Sequence, residues 1–119
     1  EGQGSLFHPS FAGVSLGLIH GAQPTDLVLC HEPTRTHMRG LPDVSLPGIM
    51  ECIDSNLNAA HLVNSRVKFR GIAINSSEVE EDQRQYLFEE LQEETGLIVF
   101  DPLKTGIEKF VSNLLEKNQ

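Results

Sequence analysis

Short apolar runs and stretches of helical periodicity alternate along the chain. The first run is Leu27, Val28, Leu29 and Cys30, the second lies in residues 68–74 and ends in Gly71, Ile72, Ala73 and Ile74, and the third is Leu97, Ile98, Val99 and Phe100. Such runs predict strands covered on both faces, as in a parallel sheet. Residues 10–22 carry small and apolar side chains, with Gly13, Gly17 and Gly21 at four-residue spacing. A helix here has one bare face, which predicts close approach to the sheet or to another helix at a propensity cost of up to about 1 kcal/mol per glycine. In residues 47–63, Ile49, Ile53, Leu57 and Ala60 share a helical face and Pro47 suits the first turn. Ser77 and Glu80 form a capping-box pattern, Val79, Gln83, Leu87 and Leu91 step along one face, and Thr95-Gly96 closes the helix. Ile107, Phe110, Val111, Leu114 and Leu115 mark a final amphipathic helix.

The order is therefore turn, helix, strand, long loop, helix, strand, helix, strand, helix. It predicts an α/β fold with a mostly parallel sheet, helices on both faces, and ligands outside the carboxyl ends of the strands. The long loop is 31–46, a polar, proline-studded connection of a length often tied to function. The opening Glu1-Gly2-Gln3-Gly4-Ser5 reads as the glycine-rich turn that follows a buried strand. Residues 1–119 are thus expected to be the later part of a nucleotide-binding domain, with one sheet edge exposed, covered by a partner, or completed by residues upstream.

Charge narrows the partners. With 9 basic and 17 acidic residues the net charge is −8, and no basic run is present. Nucleic acid and anionic membranes, which need Lys and Arg to neutralise phosphate, are poor matches, leaving small molecules or proteins. No apolar stretch nears the roughly 20 residues of a membrane helix, so a cytoplasmic setting is expected. Cys30 and Cys52 form neither a CxxC pair nor a zinc knuckle, and both read as small buried hydrophobes.

In a parallel sheet the residues after each strand converge on one edge: 1–5, 31–39, 75–77 and 101–102. Glu1 could hold Mg²⁺ there, while Gly2, Gly4 and Ser5 would let backbone N–H groups approach a ligand closely. In the segment 31–39, Arg35 and Arg39 could clamp a phosphate or carboxylate, and His31 or Glu32 could move a proton near neutral pH. Its histidines are six apart with Pro33 between them, which excludes a helical His-Glu-x-x-His zinc site. Asn75 offers an amide that donates and accepts, suited to a purine edge or, more simply, to a turn. His8 and His20 could approach the opening turn but read as structural, and His61, in a helix, reads as packed or solvent-exposed. Neither a Gly-x-x-x-x-Gly-Lys-Ser/Thr loop nor a complete dinucleotide fingerprint is present.

Several segments in order, residues 1–6 with His8-Pro9, 28–33, Leu46-Pro47 and 71–75, resemble the C-terminal P-loop domain of a bacterial and archaeal family of unassigned function. Its members are often encoded beside dipeptide epimerases, and some are described as D-glutamate N-acetyltransferases. The resemblance runs through nearly all of the chain and implies the later half of a P-loop NTPase-like domain. It also implies that an N-terminal Rossmann-like domain and a phosphate loop belong to the full protein and lie outside this chain. More distantly, residues 1–4 and 71–75 are similar to dethiobiotin synthetase, which implies Glu1 near Mg²⁺ and Asn75 near a base.

Three functions follow. One is an N-acyltransferase that acetylates D-glutamate or a related amino acid from acetyl-CoA, with His31 or Glu32 taking the proton and Arg35 or Arg39 holding carboxylate. Another is an ATP- and Mg²⁺-dependent ligase or kinase with Glu1 on the metal. The last is a non-enzymatic, nucleotide-responsive module. The isolated chain is expected to be inactive, and to associate with copies of itself or with the N-terminal part of the same protein. Glu1, His31, Glu32, Arg35 and Asn75 are expected to line one cleft in the full-length protein.

Overall fold

The structure, a computed structural model, describes residues 5–38 and 40–117. Its elements run α1 (Ala12–Ala22), β1 (Asp26–His31), β2 (His37–Met38), β3 (Leu41–Ser45), α2 (Ile49–His61), β4 (Lys68–Ile74), α3 (Glu81–Thr95), β5 (Ile98–Phe100) and α4 (Glu108–Lys117). Alternation of apolar runs with helical stripes has produced the α/β fold it predicts. The chain divides into two units, residues 1–27 with 35–68, and residues 28–34 with 69–119.

The second unit is built on a three-stranded parallel sheet of order β1-β4-β5. Gly71 pairs with Ile98, Ile72 with Val99 and Ala73 with Phe100. Central β4 is the most deeply packed, with Ile72 and Ile74 at 0% and 1% exposure. Each such side chain contributes about 1.5–3 kcal/mol by leaving water. Gly71 is required by the packing of α4, because a Cβ there would meet Phe110 Cε2 at 2.9 Å and the Ile98 carbonyl oxygen at 3.1 Å. The Phe110 ring also stacks on Phe100, with centroids 4.6 Å apart.

Strand β1 is less covered than its apolar run predicts. Leu27 and Leu29 are half-buried whereas Val28 and Cys30 are exposed, so burial alternates along it. The expectation that Cys30 is buried is thereby corrected: an odd–even strand at one end of the described sheet covers only one set of side chains. Cys52 is half-buried, and burial, reinforced by the Glu51 carboxylate, pushes its thiol pKa up.

Helix α3 starts later than its capping-box pattern predicts. Its N-cap is Glu80, with no side-chain cap, and Ser77 lies in the preceding turn, where its hydroxyl and N–H both donate to Asn75 Oδ1 at 2.7 and 3.2 Å. Glu81 and Asp82 then place negative charge in the first turn, where the helix dipole favours it. The C-terminus is as expected, with Gly96 in the left-handed conformation at φ 71 and its N–H donating to the Gln92 carbonyl.

The first unit holds α1, α2 and a two-stranded antiparallel sheet of β2 and β3. That hairpin lies within the expected 31–46 loop and corrects it. Pro42 and Asp43 conceal a strand in the sequence, yet a two-stranded ribbon leaves Pro42 an edge position without a required donor. Gly40, at φ 77, supports the reversal between the strands, and Met38 is buried. Helix α2 begins after Gly48 as N-cap, two residues later than Pro47 suggests, and buries Ile53 and Ala60. Helix α1 contacts α2. Its three glycines do not mediate that contact, since a Cβ at Gly13, Gly17 or Gly21 would meet nothing within 4 Å. The expected close approach through the bare face is not made among the described residues. Phe11, Val14, Leu16 and Leu18 are exposed instead.

Candidate functional site

The carboxyl ends of the second unit's strands form one edge. There the Asn75 N–H donates to the His31 carbonyl at 2.9 Å, bringing the exits of β1 and β4 side by side. His31 and Glu32 are half-buried, and the Thr34 hydroxyl donates to Glu32 Oε1. Asn75 is exposed, with its carbonyl oxygen held by Ser77, so its Nδ2 is the donor end. Thus three of the expected site residues, His31, Glu32 and Asn75, are neighbours on this edge.

The remaining candidates belong to the first unit or lie outside the described residues. Arg35 belongs to the first unit and is exposed. Ser5, also of the first unit, accepts the Phe7 N–H on its Oγ at 3.2 Å and the His8 N–H on its carbonyl at 3.1 Å. Glu1, Gly2, Gly4 and Arg39 lie outside the described residues. Among the described residues no group of three or more His, Cys, Asp or Glu is gathered to hold a metal ion.

The other histidines serve the first unit's framework. His8 is buried, accepts the Ser10 N–H on Nδ1 and sits 4.9 Å from the Phe11 ring. His20 Nε2–H donates to the Ala59 carbonyl at 2.8 Å and His61 Nε2–H to the Val67 carbonyl at 2.9 Å. Donation to carbonyls in both cases fixes the proton on Nε2 when the ring is neutral.

The most organised chemistry on the edge is one that density of functional side chains does not reveal. Asp101, directly after β5, is 2% exposed and Ser76, directly after Asn75, is 0% exposed. Asp101 Oδ1 accepts the N–H groups of Leu103 and Lys104 at 2.9 and 3.1 Å. Oδ2 accepts the Ser76 N–H at 2.9 Å and the Ser76 hydroxyl. Arg84 Nε in turn donates to Ser76 Oγ at 2.9 Å. Burial alone would raise the Asp101 pKa, but donors from the Ser76 side chain and from the Ser76, Leu103 and Lys104 backbone overcome it and hold the carboxyl below its usual range. The signal in the sequence is slight: an Asp-Pro pair just after one strand and a serine two residues beyond the end of another.

A parallel α/β sheet with polar groups at the carboxyl ends of its strands has the architecture of the α/β class to which P-loop domains belong. The chain belongs to the DUF1611 family: residues 1–111 match its model, described as a domain of unknown function (DUF1611_C), P-loop domain. It is 50% identical over 114 residues to a D-glutamate N-acetyltransferase of Pseudoalteromonas sp. and 45% identical to one of Tritonibacter scottomollicae. Each match covers 96% of this chain and 34% of the relative, so the chain spans about a third of their length. The crystal structure of a DUF1611 family protein from Anabaena variabilis superposes with a TM-score of 0.86 at 33% identity, over 98% of this chain and 34% of that one. The described helices include none long and apolar enough to cross a membrane.

Proposed function

We propose that this chain is the C-terminal part of a P-loop-fold N-acyltransferase that acetylates D-glutamate or a related amino acid from acetyl-CoA. The observation that carries this reading is the identity of 50% and 45% to two proteins named for that activity, across 96% of the chain. In such a reaction the substrate ammonium first loses a proton. Its nitrogen lone pair then attacks the thioester carbonyl, a C–N bond forms as the C–S bond breaks, and CoA leaves as a thiolate that is reprotonated. His31 or Glu32, at the exit of β1, is the base, a role that typically gives about 10²- to 10⁴-fold. Arg35 or Arg39 holds a substrate carboxylate, and Gly2, Gly4 and Ser5 supply backbone to the phosphates of CoA. The exposed Asn75 amide, its oxygen taken by Ser77, leaves Nδ2 to donate to a purine ring nitrogen. The reading carries with it small-molecule substrates, a cytoplasmic setting and a homo-oligomer.

The experiment is steady-state kinetics on the full-length protein with acetyl-CoA and D- or L-amino acids, the product identified by mass spectrometry. Arg35→Ala should raise KM for an anionic acceptor by roughly 10- to 100-fold, the loss of one charge-assisted contact. Glu32→Gln should lower kcat with little effect on KM if Glu32 is the base. Absence of acetylated product sinks the reading. Phosphate released from ATP in the presence of a D-amino acid supports instead an ATP-dependent ligase or kinase with Glu1 on Mg²⁺.

A further inference from the structure

We propose that Asp101 is a positioning residue that, through Ser76, fixes Asn75 and Ser77 for the nucleotide portion of the acyl donor. The inference rests on the acetyl-CoA reading and deepens it. One buried carboxylate joins two turns at the sheet's carboxyl edge: Oδ2 takes the turn after β4 by the Ser76 N–H and hydroxyl, and Oδ1 takes the turn after β5 by the Leu103 and Lys104 N–H groups. The Asp101 backbone reinforces the second turn, its carbonyl accepting from Lys104, Thr105 and Gly106 and its N–H donating to Thr105 Oγ1 at 3.0 Å. Arg84 holds the far side of Ser76. Ser76 is thus pinned from two directions, and it stands between Asn75 and Ser77, the exposed pair whose mutual hydrogen bonds set the direction of the Asn75 amide.

A hydroxyl or a backbone carbonyl could cap either turn alone. Only an ionised carboxylate, acceptor on both oxygens, can hold both at once. The arrangement is also costly to bury and therefore demands that every lone-pair direction be used. The consequence is a binding edge set before the ligand arrives, which spares the ordering cost of fixing Asn75 on binding.

The test uses two variants of the full-length protein. Asp101→Asn keeps one carbonyl oxygen for the Leu103 and Lys104 N–H groups but cannot accept the Ser76 N–H. Ser76→Ala keeps that N–H contact and removes the hydroxyl from both Asp101 and Arg84. With acetyl-CoA, KM should rise about tenfold in Asp101→Asn and less in Ser76→Ala, while kcat and KM for the amino acid change by about twofold or less. With S-acetyl-pantetheine, a thioester lacking the nucleotide, both variants should match the wild-type protein. Equal loss with both donors shows a merely structural role and overturns the proposal, as does no loss with either. If the wild-type protein transfers no acetyl group, the acetyltransferase reading fails separately. Calorimetric titration with adenosine 3′,5′-bisphosphate then decides this proposal: weaker binding to Ser76→Ala supports it, and equal binding or none to the wild type overturns it.

Discussion

After β1 the chain presents His31, Glu32, Thr34, Arg35 and His37 in close succession; after β5 it presents a single acidic residue in Asp-Pro-Leu-Lys-Thr-Gly. The first segment has every residue type a chemist looks for. Its side chains are exposed or half-buried, and the side-chain bonds described there are local, such as that from Thr34 to Glu32. The second has one carboxylate, nearly inaccessible, on which two separate turns close. What differs is the number of backbone groups that depend on each side chain. A carboxylate that several buried N–H groups need as acceptor is fixed by them in return, whereas a charge open to water can exchange its partners for solvent. Density of reactive residues marks where chemistry could occur, and shared dependence marks where geometry is built.

The sharpest way to break this contrast is to remove the carboxylate. Asp101→Ala leaves the Ser76, Leu103 and Lys104 N–H groups short of an acceptor and should cost about 2–4 kcal/mol, read by urea denaturation. A loss below about 0.5 kcal/mol, the level of an ordinary surface change, would erase the distinction. Next comes Gly71→Ala, which sets packing in the same unit against hydrogen bonding. Its new methyl must displace the Phe110 ring or the Ile98 carbonyl, and thermal unfolding should show a loss of about 1–3 kcal/mol.

Acid titration gives a smaller effect with a definite sign. Because the folded state lowers the Asp101 pKa, its contribution to stability is complete above the ordinary carboxylate value of about 3.9 and is lost as pH falls through the lowered one. Melting temperatures taken from pH 5 down to pH 3 should therefore fall less in Asp101→Asn than in the wild-type protein. The smallest effect belongs to the other segment. Thr34→Ala removes an exposed hydroxyl from Glu32 and should shift stability by no more than about 0.5 kcal/mol in a urea titration. A larger change would mean that this segment too is built.

The same distinction explains what could be read in the sequence. Strand β4 matched its expected bounds at both ends, and β1 and β5 fell within a residue or so, because a short apolar run bounded by polar and turn residues marks a strand even where one face is open to water. The helix ends showed which local patterns are decided locally. Gly96 stopped α3 by its own backbone freedom, but Ser77 did not start it, since Ser77 belongs to the turn with Asn75 and the helix begins only after Glu80. Exposure of Cys30 and the hairpin of β2 and β3 depend on what lies beside a strand, which one sequence does not state. In the candidate site, His31, Glu32 and Asn75 were legible as residues that follow strands. Asp101 and Ser76 belong to the segments 101–102 and 75–77 expected on the same edge, but nothing local assigns them a role, since their importance lies in bonds 25 positions apart along the chain.

The close seat of Phe110 over Gly71 has a further consequence for how the protein opens. Strand β4 has a bonded strand on each side, side chains at 72 and 74 shut away from water, and an aromatic ring lying over the backbone at 71. Fraying or loop motion that uncovers α1 or the polar segment after β1 does not reach those amides. Their protons can exchange with solvent only when the sheet itself comes apart, so the slowest exchange rates in the chain should lie at 71–74 and report the free energy of global unfolding.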